Sequence, residues 1–145
     1  MQENLETLGE ISYTDQEITY ANAILKEAGK PQLGINGEVT PIQETLPAQG
    51  GSTDVGDVSQ VVPTIRMSAT VAADGGPWHS WAVVACTGMS IGHKGMIYAA
   101  KALSMTMADL YKNPKLVEAV KTDYKKNKMS ESYKPRILPG PPSLE

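Results

Sequence analysis

The run from Gly50 to Ser80, GGSTDVGDVSQVVPTIRMSATVAADGGPWHS, decides the fold. At its centre Ile65, Met67, Ala69 and Val71 alternate with Arg66, Ser68 and Thr70, the period of two expected of a strand with one buried face. Ahead of the strand, Ser52 or Thr53 can cap a short helix through Asp54, Asp57 and Gln60, which Pro63 closes. Behind it, Ala73 to Pro77 reads as a turn, followed by His79 in a second tight turn. The next residues, Trp81-Ala82-Val83-Val84-Ala85-Cys86, form a short apolar stretch.

Working outward from that centre, the remaining signals are helical. Leu5 and Leu8 share one side of a short segment from Gln2 to Leu8 that stops at Gly9; it is too short to stand alone and reads as the end of a helix begun upstream. Thr14 and Glu17 have capping-box spacing, and Ile18, Ala21, Ile24, Leu25 and Ala28 recur at helical intervals until Gly29 and Pro31. Residues 31–51 are read as a long loop, with room for one short strand near Ile35 or Val39. The longest helix spans about Ser90 to Lys112. Its face of Ile97, Ala100, Leu103, Ser104, Met107 and Leu110 is widened by Met96, Ala99 and Met105, which predicts burial on more than one side. Asn113-Pro114 opens a last helix carrying Leu116, Val117, Val120 and Tyr124, and a Pro-rich tail follows from Met129.

This order predicts an α/β fold, a mixed sheet with packed helices. One strand cannot make a sheet. Either the loops hide others, or chain outside this sequence completes it, so the fold is expected to be incomplete alone. The expected division is 1–12, 13–128 and a Pro-rich tail at 129–145.

Composition narrows the partners. The net charge of −3 leaves no basic stripe for phosphate, which argues against nucleic acid. Lys121, Lys125, Lys126 and Lys128, alongside Glu118 and Asp123, read instead as the solvated and cationic end of a helix. No segment reaches the roughly 20 apolar residues of a membrane span. The start of the chain resembles no signal peptide, so the expected location is cytoplasmic. The lone cysteine, Cys86, lies in an apolar run and reads as a buried, inert thiol.

Candidate chemistry is sparse. The two histidines, His79 and His93, have no second ligand at helical spacing, and neither HExxH nor CxxC occurs. A self-contained zinc site needs three or four protein ligands, more than His79, His93 and the scattered Asp54, Asp57 and Asp74 readily supply. A serine-hydrolase reading lacks a GxSxG elbow, and Ser80 adjoins His79 in sequence, a poor geometry for proton transfer. On its own residues His79 reads as a loop histidine stacked between two tryptophans. His93 reads as a helix-start residue whose ring bonds a neighbouring loop. Gly50 to Asp54 fits two descriptions equally, an anion-binding turn at a helix start or plain capping.

The order GGSTD, then a strand, then PWHSW, then HKGMIYAAKAL resembles the C-terminal portion of the co-catalytic zinc amidohydrolase and carboxypeptidase family. The closing YKPRILPGPPS also fits the Pro-rich end of such proteins. The resemblance implies that 1–12 is the end of a lid domain and a linker, and that 13–128 is the C-terminal part of the catalytic domain. It implies that His79 is the family's last zinc ligand, that Gly51, Ser52, Thr53 and Asp54 line the substrate pocket, and that the helix from Ser90 packs behind a sheet. It implies hydrolysis of an amide bond to an amino acid, such as the glutamate of p-aminobenzoyl-glutamate, by a parent protein holding two zinc ions. The family's other ligands and its general-base Glu precede this region, so no catalytic residue is assigned here. The chain by itself is expected to hold no zinc tightly and to be inactive. Its expected partners are a small-molecule amide or peptide substrate in the parent, the missing N-terminal half of the catalytic domain, and further copies of itself at an uncovered sheet edge. The alternative is a stand-alone, non-enzymatic binding or assembly module.

Overall fold

The computed structural model describes residues 1–42, 53–128, 133–134 and 140. Among them the regular elements are six helices: α1 (Gln2–Leu8), α2 (Asp15–Glu27), α3 (Val55–Val61), α4 (Trp81–Thr87), α5 (Ser90–Lys112) and α6 (Pro114–Asn127). Two compact units result, Met1–Thr45 with Met67–Lys112, and Leu46–Arg66 with Asn113–Glu145.

The first unit forms around α2, α4 and α5. The capping box at the start of α2 is complete: Thr14 Oγ1 accepts from Glu17 N, and Glu17 Oε2 accepts from Thr14 N at 2.7 Å. This box fixes the entry of α2 and turns Ala21 and Leu25 inward. They close a core with Ala73, Cys86 and Ile91, against which Tyr13, Tyr20, Ile24, Ile35 and Ala72 pack. Cys86 is wholly buried there, as its apolar run implied. Helix α1 leans on α5 through Asn4, whose amide donates to Thr106 Oγ1 and to Asp109 Oδ2 at 2.7 Å. Tyr20 Oη reaches the Ala85 carbonyl and ties α2 to α4.

Glu17 does more than cap. It accepts from Ser90 Oγ at 2.6 Å and from Lys94 Nζ at 2.6 Å, so one carboxylate joins the start of α2 to the start of α5. The Lys94 bond, then the Ser90 bond and the Thr14 amide, hold its pKa down at about 2 despite burial. Tyr13, under the Lys94 ammonium, is pushed up to about 12 by burial and by the charge of Glu17.

Small residues let α5 approach its neighbours. A Cβ on Gly95 would collide with the Thr70 carbonyl and press on Val71, and one on Gly92 would strike Thr87 backbone. Both positions are therefore closed to larger residues.

The expected α/β fold is not what forms. No strand or sheet occurs among the described residues, and the architecture is all-helical. Alternation along Ile65–Val71 sorts side chains to two sides, but a strand also needs a neighbouring backbone to ladder with. Here the neighbours make isolated bonds instead. Thr70 Oγ1 donates to Asn36 O, Tyr13 Oη donates to Thr70 O, Asp74 N reaches Gly34 O, and Ile11 N reaches Gly37 O. The short strand expected near Ile35 or Val39 is likewise irregular. With no sheet there is no sheet edge, and α5 packs on helices and loops.

Two further corrections concern helices. The apolar stretch after His79 is a helix, α4, started by Ser80, whose Oγ accepts from Ala82 N. The wide apolar face expected to be buried on α5 is outward: Met96, Ile97, Leu103 and Met107 are exposed, while Ile91, Gly92, Gly95, Ala102 and Thr106 face inward.

The second unit holds α3 and α6. Helix α6 begins as its Asn113-Pro114 signal requires, with Asn113 Oδ1 accepting from Leu116 N. No helix among the described residues is long and apolar enough to cross a membrane.

Candidate functional site

His79 sits at the tip of a turn whose two ends are anchored in the first unit. On one side Ala73 is in the core, Asp74 N is bonded to Gly34 O, and Gly76 N closes back on Ala73 O. On the other side Ala82 is buried at the start of α4. Ser80 joins the two, donating from Oγ to the Pro77 carbonyl while capping α4 through the same oxygen. What projects is Trp78, His79 and the top of Ser80.

The backbone of His79 has φ 57°, the one positive value at a non-glycine among the described residues. An L side chain there crowds its own carbonyl, which costs about 1–2 kcal/mol. Such conformations persist where surrounding structure dictates them and gather at functional positions. The consequence for His79 is presentation. Its imidazole is exposed on a loop that the Ser80 bonds and the buried alanines fix at both ends. Trp78 is 70% exposed and Trp81 52%, so the histidine is not stacked in a buried tryptophan sandwich.

The other sequence-predicted residues fall in the second unit or outside the description. Gly51 and Ser52 lie outside the described residues. Thr53 and Asp54 precede α3, both exposed; Thr53 Oγ1 accepts from Val55 N at a long 3.4 Å, and Asp54, at the N-cap position, makes no side-chain capping bond. Thr53 thus does the local capping, and the Asp54 carboxylate is not used for it. His93 is exposed in the first turn of α5, with no side-chain bond to a loop among the described residues.

Among the described residues no group of three or more His, Cys, Asp or Glu side chains comes together as a metal would require. His79 is a single donor. The described residues do not amount to a zinc centre.

The second unit also holds a groove that sequence reasoning missed. It encloses about 510 Å³ between Ser59 of α3 with the segment that follows (Pro63, Ile65) and one side of α6 (Val120, Tyr124, Asn127). The Tyr124 hydroxyl is buried there without a hydrogen-bond partner among the described residues. In the sequence Tyr124 reads as an apolar member of α6, and no local signal marks its hydroxyl as unpaired. Ser80, by contrast, carries a readable signal: a serine immediately before an apolar run is a helix start.

Comparison with known proteins finds a resemblance to a subunit of a hydrolase. Over 96 residues, 66% of this chain, the sequence is 33% identical to a subunit of p-aminobenzoyl-glutamate hydrolase from Escherichia coli (strain K12). The chain resembles that protein, and the match spans 20% of the relative's length. No family model matches the chain, and no solved structure matches it.

Proposed function

We propose that this chain is the C-terminal portion of a metal-dependent amidohydrolase that cleaves an amide bond to an amino acid, with p-aminobenzoyl-glutamate, cleaved at its glutamate, as the leading substrate. In this reading His79 contributes one zinc ligand, and the region of Thr53 and Asp54 contributes to the substrate pocket. The remaining ligands and the general base come from sequence outside this chain. The relative's name supports the substrate class. The observation that carries the role of His79 is its exposed ring on a left-handed backbone, braced by Ser80 and by buried Ala73 and Ala82. A ligand that must meet an ion shared with other segments gains from being held in place beforehand, because ordering it costs nothing further on binding.

The test is a chimera in which this chain replaces the matching segment of the Escherichia coli relative. It should hydrolyse p-aminobenzoyl-glutamate, and His79→Ala should lower turnover by at least about 100-fold without changing the thermal midpoint. A His79→Ala chimera as active as its parent overturns the assignment. The 145-residue chain alone should bind zinc no better than a surface histidine, since one ligand cannot satisfy a tetrahedral ion. Stoichiometric, submicromolar binding abolished by His79→Ala would contradict this.

A further inference from the structure

We propose that the outward face of α5 is a seam through which two copies of this chain pair, helix against helix. This goes beyond the proposed hydrolase role and does not depend on it. Met96, Ala100, Leu103, Met107 and Leu110 follow one another at intervals of four, three, four and three residues, the spacing that keeps one stripe facing a partner helix. All five are exposed, and Ile97 and Tyr111 flank them, Tyr111 being 83% exposed. The buried positions of the same helix are Ile91, Gly92, Gly95, Ala102 and Thr106, and half-buried Tyr98 donates to the Leu5 carbonyl of α1. Helix α5 therefore buries mostly small residues and leaves a run of large apolar ones outward, where a lone surface helix would carry polar groups.

The occupant follows from charge, area and symmetry. From Met96 to Tyr111 the stripe carries no charged side chain; Lys101 lies off it, and exposed Asp109 is engaged by Asn4 of α1. Two identical uncharged faces meet without the like-charge repulsion that keeps most surface helices apart. Given the fractional exposures of these side chains, the stripe together with its flanks Ile97 and Tyr111 leaves on the order of 700 Å² uncovered, close to the ~800 Å² that each partner gives to a standard interface. Ala100 permits close approach, and the flexible thioethers of Met96 and Met107 adapt to a facing surface. Leu103 is the midpoint between Met96 and Leu110, so it faces its own copy whether the helices run parallel or antiparallel.

The test is sedimentation velocity on the full chain from about 1 to about 100 µM, where a self-associating species must change its mass with concentration. The expected result is a dimer. Leu103→Glu, which sets two carboxylates face to face at the centre, should weaken it at least about tenfold with an unchanged helical circular dichroism spectrum. Lys101→Glu, on the same helix but off the stripe, should leave it intact. Leu103→Cys should give a reducible covalent dimer on mild oxidation, since the native Cys86 is fully buried. This cross-link reports on the seam even if Leu103→Glu fails to fold. A wild-type chain that stays monomeric throughout overturns the proposal, whether the stripe is bare or covered by another part of the chain. So does a dimer that survives Leu103→Glu, or a Leu103→Cys chain that does not cross-link.

Discussion

Two places in the first unit treat polar side chains in opposite ways. At the junction of α2 and α5, Glu17 is 8% exposed and its carboxylate is saturated, accepting from Thr14, Ser90 and Lys94. At the turn before α4, His79 is exposed, sits on a left-handed backbone and makes no side-chain bond within the described residues. The first arrangement satisfies every demand of a buried charge and explains itself as architecture. The second spends conformational energy to hold a free imidazole at a fixed point, which architecture alone does not require. The difference separates a residue that holds the fold from one that the fold holds out.

The largest effect should come from breaking the first arrangement. Glu17→Ala removes the capping box and leaves Ser90 and Lys94 without their acceptor, which should cost about 2–4 kcal/mol in urea unfolding. A loss below about 1 kcal/mol would mean that the two helix starts are not braced through this carboxylate. Next is the close approach of α5 to Thr70. Gly95→Ala forces a methyl against a carbonyl that cannot turn aside, and should destabilise by about 1–3 kcal/mol although alanine is the better helix former. A more stable Gly95→Ala protein would show that α5 stands away from that segment in solution.

Acid sharpens the comparison further. The folded pKa of Glu17 is lowered from 4.5 to about 2, so the charged form favours the folded state. The stability it supplies is complete above the ordinary carboxylate range and is lost as pH falls from about 4.5 toward 2. Glu17→Gln should flatten that arm of the stability profile. The Glu118–Lys121 pair on α6 also depresses a carboxylate, through the Lys121 hydrogen bond and charge, but both side chains are exposed. Its share should disappear in added salt, whereas the Glu17 arm should persist. A profile unchanged by Glu17→Gln would contradict the assignment.

The smallest effect belongs to the strained turn. Replacing His79 by glycine relieves the left-handed backbone but loosens the unfolded chain, so stability should stay within about 0.5 kcal/mol of the parent. His79→Val, β-branched at positive φ, should lose about 1 kcal/mol. Equal stability of the valine variant would mean that the backbone at His79 is not left-handed in solution.

The helix punctuation was legible in the sequence because it is local. Thr14 with Glu17, Asn113 with Pro114, and Gly9 and Gly29 each act within a turn or two of where they stand: α2 begins and ends, α1 and α5 end, and α6 begins where those signals lie. The lack of a sheet among the described residues was not legible, because alternation at Ile65–Val71 reports which side chains part company and says nothing about whether another backbone lies alongside. The covered side of α5 was misread for a related reason. Apolar breadth marks a surface that can be buried, while Gly92 and Gly95 decided which side the unit came closest to. Helix α4 was hidden by a run without polar interruptions, where periodicity carries no information. His79 was singled out by residue type and resemblance, but its left-handed backbone has no signature in the neighbouring residues. The role of Glu17 was half visible: its capping spacing is local, and its bonds to Ser90 and Lys94 span 73 and 77 residues.

The most direct measurement is the zinc content of the chimera in which this chain completes the Escherichia coli relative, compared for His79, His79→Cys and His79→Ala. If the turn holds out a metal ligand, the cysteine variant keeps zinc because a thiolate can replace an imidazole in the coordination shell, while the alanine variant loses at least one equivalent. Equal zinc in all three would contradict the account, leaving His79 a strained loop residue with no part in a metal site.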